Sequence, residues 1–293
     1  MTRRILVIGA SGQIGEQLLL RLPGAVGTSF SNFRPGLEPL DIRDGAALDA
    51  LIGRVEPGLI FVPAFCAAVD QCELDPAGTR AINVDPVPGL LAAADRAGAR
   101  LVYFSSDYVF DGTKGPYTEA DPPCPINEYG RQKLQAERLI GASRRHLILR
   151  TTVVYGPETA GKNFVCRLAA GLRAGKNIRV PNDQIGSPTY APNLAEAAAA
   201  LAQSGAAGLF HLCGPDQVDR LAFAREAAAA FGLDGSLLSG VATPELGQPA
   251  RRPLNAGMSA EKARSILKIP LIGYREGLRL TAAALSAAPK LPR

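Results

Sequence analysis

The chain begins with an apolar run that leads straight into a glycine-rich loop and then a helix. "RILVIG" (4–9) is continuous, apolar and partly β-branched, and it ends in glycine. A run of that kind is buried on both faces, the condition of a strand inside a parallel sheet. Helical spacing follows in "GQIGEQLLLRL" (12–22), so "GASGQIG" joins the two elements and brings Gly9, Gly12 and Gly15 to the junction. Glycines there permit a tight turn, close approach of backbone to a pyrophosphate and close packing of helix on strand, while the first N–H groups of the helix face the phosphates. A turn serving packing alone would also use glycine. The strand–loop–helix context favours a dinucleotide site lined by Gly9, Ser11, Gly12, Gln13, Ile14 and Gly15.

The alternation continues. "AVGTSF", "GLIFVP" (58–63), "RLVYFSS" (100–106) and "HLILRTTVV" (146–154) read as strands, and "DGAALDALIGRV" reads as a helix with Asp44 near its N-cap. A helical region runs through "AINVDPVPGLLAAADRAG", and another helix carries "EYGRQKLQAE" (128–137). Strands alternating with helices imply an α/β fold, a doubly wound parallel sheet of Rossmann type. After about residue 156 the alternation loosens into helices and the loop-rich stretch "NIRVPNDQIGSPTY". The expected division is a dinucleotide-binding domain over 1–155 and a mainly substrate-binding lobe over 156–293, standing over the carboxyl edge of the sheet, where ligands of open α/β sheets bind. The tail "SAAPKLPR" is expected to be mobile.

Composition narrows the function classes. The formal charge of +5 is spread out, without a basic stripe interleaved with aromatics, so nucleic acid is not the expected partner and an anionic small molecule accounts for the excess equally well. Five scattered cysteines read as reduced thiols of a cytoplasmic protein rather than a disulfide framework. "MTRRILVIGA" has two arginines before an apolar run, but that run is only about six residues long and enters the glycine loop, so it reads as a strand rather than a leader. No stretch approaches the roughly 20 apolar residues of a membrane span. No His, Cys, Asp and Glu cluster has metal-ligand spacing. "DQCELDP" (70–76) is read as acids near the positive end of a helix, and His211, within an apolar strand, as a core histidine.

The cofactor choice rests on the second strand. Its end reads "GTSFSNFR", with Ser29, Ser31 and Arg34 and no acid before Glu38. A carboxylate there would hold the ribose 2′-hydroxyl of NAD and repel a 2′-phosphate, whereas hydroxyls and a guanidinium hold the phosphate. NADP(H) is therefore favoured over NAD(H). Asp41 and Ile42 in the next segment are candidate adenine contacts.

Tyr129 and Lys133 are four residues apart, a spacing that by itself means only a shared helix face. Ser106, at the end of the fourth apolar run, changes that reading. A nearby ammonium favours a phenolate, so a tyrosine can donate a proton to a carbonyl oxygen during reduction and accept it in reverse. A serine hydroxyl positions the same oxygen. Ser106, Tyr129 and Lys133 are the expected catalytic set, with Tyr129 and Lys133 also beside the cofactor.

"GASGQIG", "SSDYVFDG", "YGRQK" and "DQIGSPTYAPNLAEA" together resemble the extended short-chain dehydrogenase/reductases and, among them, the dTDP-4-dehydrorhamnose reductase family, over nearly the whole chain. The resemblance implies interleaved lobes and NAD(P)H-dependent reduction of a nucleotide-linked 4-keto-6-deoxy sugar in dTDP-rhamnose biosynthesis. It implies substrate contacts at Asp107 and Tyr108, at Asn163 and Phe164 in "GKNFV", and at Arg252 in "RRPLN". The expected partner is a nucleoside-diphosphate sugar, not a nucleic acid or a membrane, with a homodimer open. Three departures stand out: "VPAF" with Ala64 at the cofactor wall where many relatives have an Asn-Ala-Ala-Ala run, Val153 where a tryptophan is frequent, and Gln132 where a small hydroxyl residue is common. The regulatory β subunit of methionine adenosyltransferase shares the Ser-Ser-Asp-Tyr and Tyr-x-x-x-Lys patterns, so a non-catalytic NADP-binding subunit is an alternative, as is a sugar-nucleotide epimerase or dehydratase. Asp183 and Gln184 are read evenly as substrate-lobe lining or as turn residues.

Overall fold

Strand β1 (Arg4–Val7) lies inside a seven-stranded sheet with β2 (Val26–Ser29), β3 (Leu37–Pro39), β4 (Pro57–Val62), β5 (Arg100–Ser106), β6 (His146–Thr151) and the strand Gly208–His211. This is a computed structural model, and it describes residues 4–32, 34–143 and 145–287. The spatial order is β3, β2, β1, β4, β5, β6 and Gly208–His211, and every neighbouring pair is parallel. The order reverses between β1 and β4, where open α/β sheets bind their ligands.

Alternation along each strand feeds two cores. Val7, Phe61, Val102 and Phe104 point into one, beneath helices α1 (Gln13–Arg21) and, later in the chain, Ala191–Gln203. Leu6, Ile8, Ile60, Leu101 and Tyr103 point into the other, beneath α2 (Gly45–Val55), the short α3 (Val69–Leu74) and α4 (Pro76–Asn83), α5 (Val87–Arg96) and α6 (Glu128–Gly141). Each fully buried aliphatic or aromatic side chain contributes roughly 1.5–3 kcal/mol, so a sheet covered on both faces is the favourable use of continuous apolar strands. Asp44 caps α2 by accepting the Ala47 N–H at 3.0 Å, as its position before the helix predicts.

The second half of the chain contributes both to the sheet and to a further core. The Ala191–Gln203 helix and the Gly208–His211 strand pack into the sheet. A separate core joins Tyr155 with Val165 and Leu168 of α7 (Phe164–Arg173), Phe223 and Ala227 of α9 (Arg220–Ala230), and Leu278 of α11 (Tyr274–Ala287); the helix Ala191–Gln203 is α8 and Glu261–Arg264 is α10. His211 is fully buried beside Phe110 and Arg150, and burial pushes its pKa down to about 3.

Two local expectations need correction. The run 146–154 is not one strand: β6 ends at Thr151, Val153 adopts φ +43°, and Val154–Tyr155 pairs separately with Thr189–Tyr190. A β-branched residue in the left-handed region is costly, and such strain concentrates where tertiary contacts fix a special geometry. The stretch 177–190 also contains ladders: Ile178–Pro181 pairs with Leu238–Val241 and Ile185–Gly186 with Val218–Asp219. Of the tail, residues 288–293 lie outside the described residues. No helix among the described residues is long and apolar enough to cross a membrane.

Candidate active site

A cavity of about 420 Å³ opens at the carboxyl edge of the sheet, with Gly12, Gln13 and Ile14 at one side, Ser106, Asp107, Tyr108 and Tyr129 on its wall, and Gln184, Arg220 and Phe223 from the second lobe facing them.

The glycine loop is built for close approach. Gly9 has φ +92° and a Cβ there would lie 2.8 Å from Ala64, while a Cβ on Gly15 would run into the Gly9 carbonyl. The α1 N-cap, Gly12, supplies no side-chain cap, so the first N–H groups of the helix face outward unbonded by a capping side chain. This cradle fits a dinucleotide pyrophosphate. Arg34 lies over the loop, donating from Nη2 to the Ser11 carbonyl at 3.4 Å and pairing with Glu16 at 3.3 Å. Ser31 is exposed beside it, but Ser29 is buried and donates its hydroxyl to the Asn32 carbonyl at 2.8 Å. Of the three residues expected to face a 2′-phosphate, Ser31 and Arg34 are presented and Ser29 is not. Asp41 is held by the Arg43 side chain through bonds of 2.9, 3.0 and 2.7 Å, and Ile42 is half-buried next to it.

Ser106 is the last residue of β5, opposite Thr151 of β6. Its Oγ accepts the Tyr108 N–H at 3.2 Å, capping the short 3₁₀ turn Asp107–Val109, and donates to Asp107 Oδ1 at 2.8 Å. Thr152 donates to the other carboxylate oxygen at 2.7 Å. Burial still pushes the Asp107 carboxyl up to about 6 against these bonds. Asp107 and Tyr108 thus meet at the cavity with Ser106.

Tyr129 stands in the first turn of α6, which Asn127 caps by accepting the Gly130 N–H at 2.8 Å. Gly130 is required beneath it, because a Cβ there would run into the Tyr108 carbonyl. The Tyr129 ring meets the Tyr108 ring edge-on at 5.7 Å. Burial raises the Tyr129 pKa, with Ser106 acting in the opposite direction, so the phenol is protonated and a donor. Lys133 lies one turn further on, fully buried, with Nζ donating to the Phe104 carbonyl at 2.9 Å and the Tyr103 hydroxyl at 3.2 Å. Desolvation depresses its pKa, and Glu137 opposes that shift. The Phe65 ring, on the cavity wall, covers this ammonium with its centroid at 3.1 Å. The "VPAF" departure therefore has a consequence: the aromatic residue occupies the approach to Lys133. Gln132 does not face the cavity but bonds Asn83 at 2.9 Å and Thr79 at 3.0 Å, tying α6 to α4.

The substrate residues implied by resemblance divide. Asn163 caps α7, accepting the Cys166 N–H at 3.0 Å and donating to the Gly156 carbonyl at 2.9 Å. With its amide oriented to satisfy both ends, Gln13 accepts from Asn163 Nδ2 at 3.1 Å, so the cap also braces the glycine loop. Arg252 is 7% exposed, paired with Asp70 of α3 at 2.9 Å and bonded to the Ala250 carbonyl, a clasp between the lobes. Phe164 packs beneath the Arg220 guanidinium at 4.9 Å and stacks near Phe223 at 6.0 Å. Gln184 lines the cavity and bonds Thr243, whereas Asp183 braces the Thr243 turn. Sequence reasoning passed over Arg220; its one local signal was a cation in the first turn of a helix, where acids are favoured.

A glycine cradle and a Ser, Tyr and Lys set at one Rossmann sheet edge define a dinucleotide-dependent oxidoreductase of the extended short-chain dehydrogenase/reductase class. The chain belongs to the family described as RmlD substrate binding domain, which matches residues 3–287. It is 33% identical to dTDP-4-dehydrorhamnose reductase of Burkholderia thailandensis, covering 94% of this chain and 97% of that one. It is 32% identical to methionine adenosyltransferase 2 subunit beta of Rattus norvegicus, covering 94% and 87%. A crystal structure of dTDP-4-dehydrorhamnose reductase from Bacillus anthracis in complex with NADP superposes with a TM-score of 0.88 at 28% identity, over 97% of this chain and 100% of that one.

Proposed function

We propose that this protein is a cytoplasmic NADPH-dependent reductase that converts a nucleoside-diphosphate 4-keto-6-deoxy sugar to the corresponding alcohol, as a dTDP-4-dehydrorhamnose reductase does. The observation that carries the reading is the shared cavity: Gly12 and Gln13 of the cofactor cradle, Ser106 and Tyr129 line one space. When bound, NADPH supplies the hydride to the carbonyl carbon. Tyr129 gives its phenolic proton to the carbonyl oxygen as that oxygen gains charge, and is reprotonated from solvent. Ser106 fixes the oxygen through its hydroxyl, which exchanges its bond to Asp107 for one to the substrate. Lys133, one turn further along α6, stabilises the phenolate left behind. Asp107 and Tyr108 contact the sugar. Asn163 and Arg252 act through the backbone they hold, and Phe164 through the arginine above it.

Incubating the protein with NADPH and a panel of dTDP- and UDP-linked 4-keto sugars tests the reading. Loss of the reduced-nicotinamide absorbance with at least one sugar, matched by formation of its alcohol, is expected; no oxidation with any of them contradicts it.

The cofactor choice has its own test. Arg34 reaches over the glycine loop, and no acid stands at the end of β2. Arg34→Ala is expected to weaken NADPH by roughly 10–100-fold, the scale of one hydrogen bond between charged groups, and NADH by about twofold at most. Dissociation constants for both cofactors in both proteins check this. Equal losses contradict a role in reading the 2′-phosphate.

A further inference from the structure

Arg220 is the first residue of α9, the position where a cation opposes the helix dipole. The helix is already capped, since Asp219 accepts the Ala222 N–H at 2.8 Å, so the arginine is not there to terminate it. Its own N–H donates to the Gln184 carbonyl at 2.9 Å, fixing the backbone from which the side chain departs. The side chain reaches the cavity wall across the Phe164 ring, and its charge is felt at Tyr108 and Asp107. Among the described residues no carboxylate lies within ion-pair distance of it and no hydrogen bond engages its guanidinium. Arg252 and Arg167 are near enough to oppose its charge. Arg252 is neutralised by Asp70, so the groups that favour the Arg220 cation are Tyr108 and Asp107, and neither is in ion-pair or hydrogen-bond contact with it. Packing alone does not explain this, because a half-buried guanidinium without a hydrogen-bonded partner has given up part of its hydration with no direct contact in exchange. An anion entering the cavity would supply the missing partner. Arg252, the arginine that resemblance points to, already has one.

We propose that Arg220 is the residue that binds the phosphate adjoining the sugar of a nucleoside-diphosphate substrate, aiming that sugar at Ser106 and Tyr129. This deepens the reductase reading and rests on it. A planar guanidinium supported by an aromatic ring can engage two phosphate oxygens at once through its fork. Phe164 is then the support of that fork rather than a sugar platform, which explains why it lies beneath Arg220.

The test is calorimetric titration of dTDP into NADPH-saturated wild type, Arg220→Gln and Arg220→Lys, with thymidine and NADPH titrated separately. Arg220→Gln is expected to weaken dTDP by about 10–100-fold, with thymidine and NADPH within about twofold of wild type. Arg220→Lys is expected to recover part of the loss, since an ammonium keeps the charge without the fork. Unchanged dTDP affinity in Arg220→Gln overturns the assignment and leaves the reductase reading standing. Equal losses for dTDP and NADPH overturn it as well, since they mean a disturbed lobe and not a lost phosphate contact. Wild type that binds NADPH but neither dTDP nor UDP overturns the nucleotide-sugar reading, and this assignment with it.

Discussion

Replacing Tyr129 by phenylalanine lowers kcat by roughly 10²–10⁴-fold, the scale of general acid catalysis, while NADPH binding persists. The ring stays, so its edge-on contact with Tyr108 and the first turn of α6 stay with it. What goes is the phenolic proton that Tyr129 presents to the cavity beside Ser106. Tyr103 does not replace it, because that side chain is buried and receives the Lys133 bond, and burial raises its pKa. Because Tyr129 is a neutral donor throughout the working pH range, KM for the sugar should change much less than kcat. Steady-state kinetics with dissociation constants for NADPH check both halves. A variant turning over near the wild-type rate would remove Tyr129 from the proton step.

Replacing Glu137 by alanine costs about 3–5 kcal/mol of stability, because it leaves Arg150 buried and unpaired. The two side chains form a fork from α6 to β6, with bonds of 2.8 and 2.7 Å and exposures of 6% and 3%, so solvent cannot take Glu137's place. His211, 3.5 Å from Arg150, carries no negative charge to offer. The expected fall in melting temperature is on the order of 10 °C. The double change Glu137→Met with Arg150→Met should be less destabilising than the sum of the single changes, since neither charge is then stranded. Thermal melts of the three variants check this, and a single variant melting within about 2 °C of wild type contradicts it. The pair also ties to β6 the helix that carries Tyr129 and Lys133, and Glu137 opposes the desolvation of Lys133.

Much of the fold could be read from the chain because its signals are local. The apolar runs at β1, β4 and β5, the glycines at 9, 12 and 15 and the caps at Asp44 and Asn127 each depend on neighbouring residues. The Tyr129 and Lys133 spacing with Ser106 upstream is of the same kind. What escaped depends on distant partners. The two-residue ladders around 185 and 218 carry no period of their own. Arg252 is implied by resemblance as a substrate contact, but its partner Asp70 lies some 180 residues away in the chain and only the fold brings the two together. Ser29 looked presented, but its hydroxyl turns back to the Asn32 carbonyl. Phe65 was visible as a departure, yet only the folded chain puts its ring on the Lys133 ammonium. Arg220 carried a single faint signal, the wrong charge for a helix start, and its meaning depends on a cavity assembled from both lobes.

The central claim is that hydride passes from NADPH to a sugar carbonyl in the cavity between Gly12 and Arg220. Supplying NADPH deuterated at the reactive ring carbon, with the 4-keto-6-deoxy sugar nucleotide as acceptor, and weighing the product sugar by mass spectrometry tests it directly. One stereoisomer of the labelled cofactor is expected to give an alcohol heavier by one deuterium at the former carbonyl carbon, with no product from Tyr129→Phe on the same timescale. Label that stays on the bound cofactor with every sugar supplied, in a protein that binds NADPH normally, would contradict it.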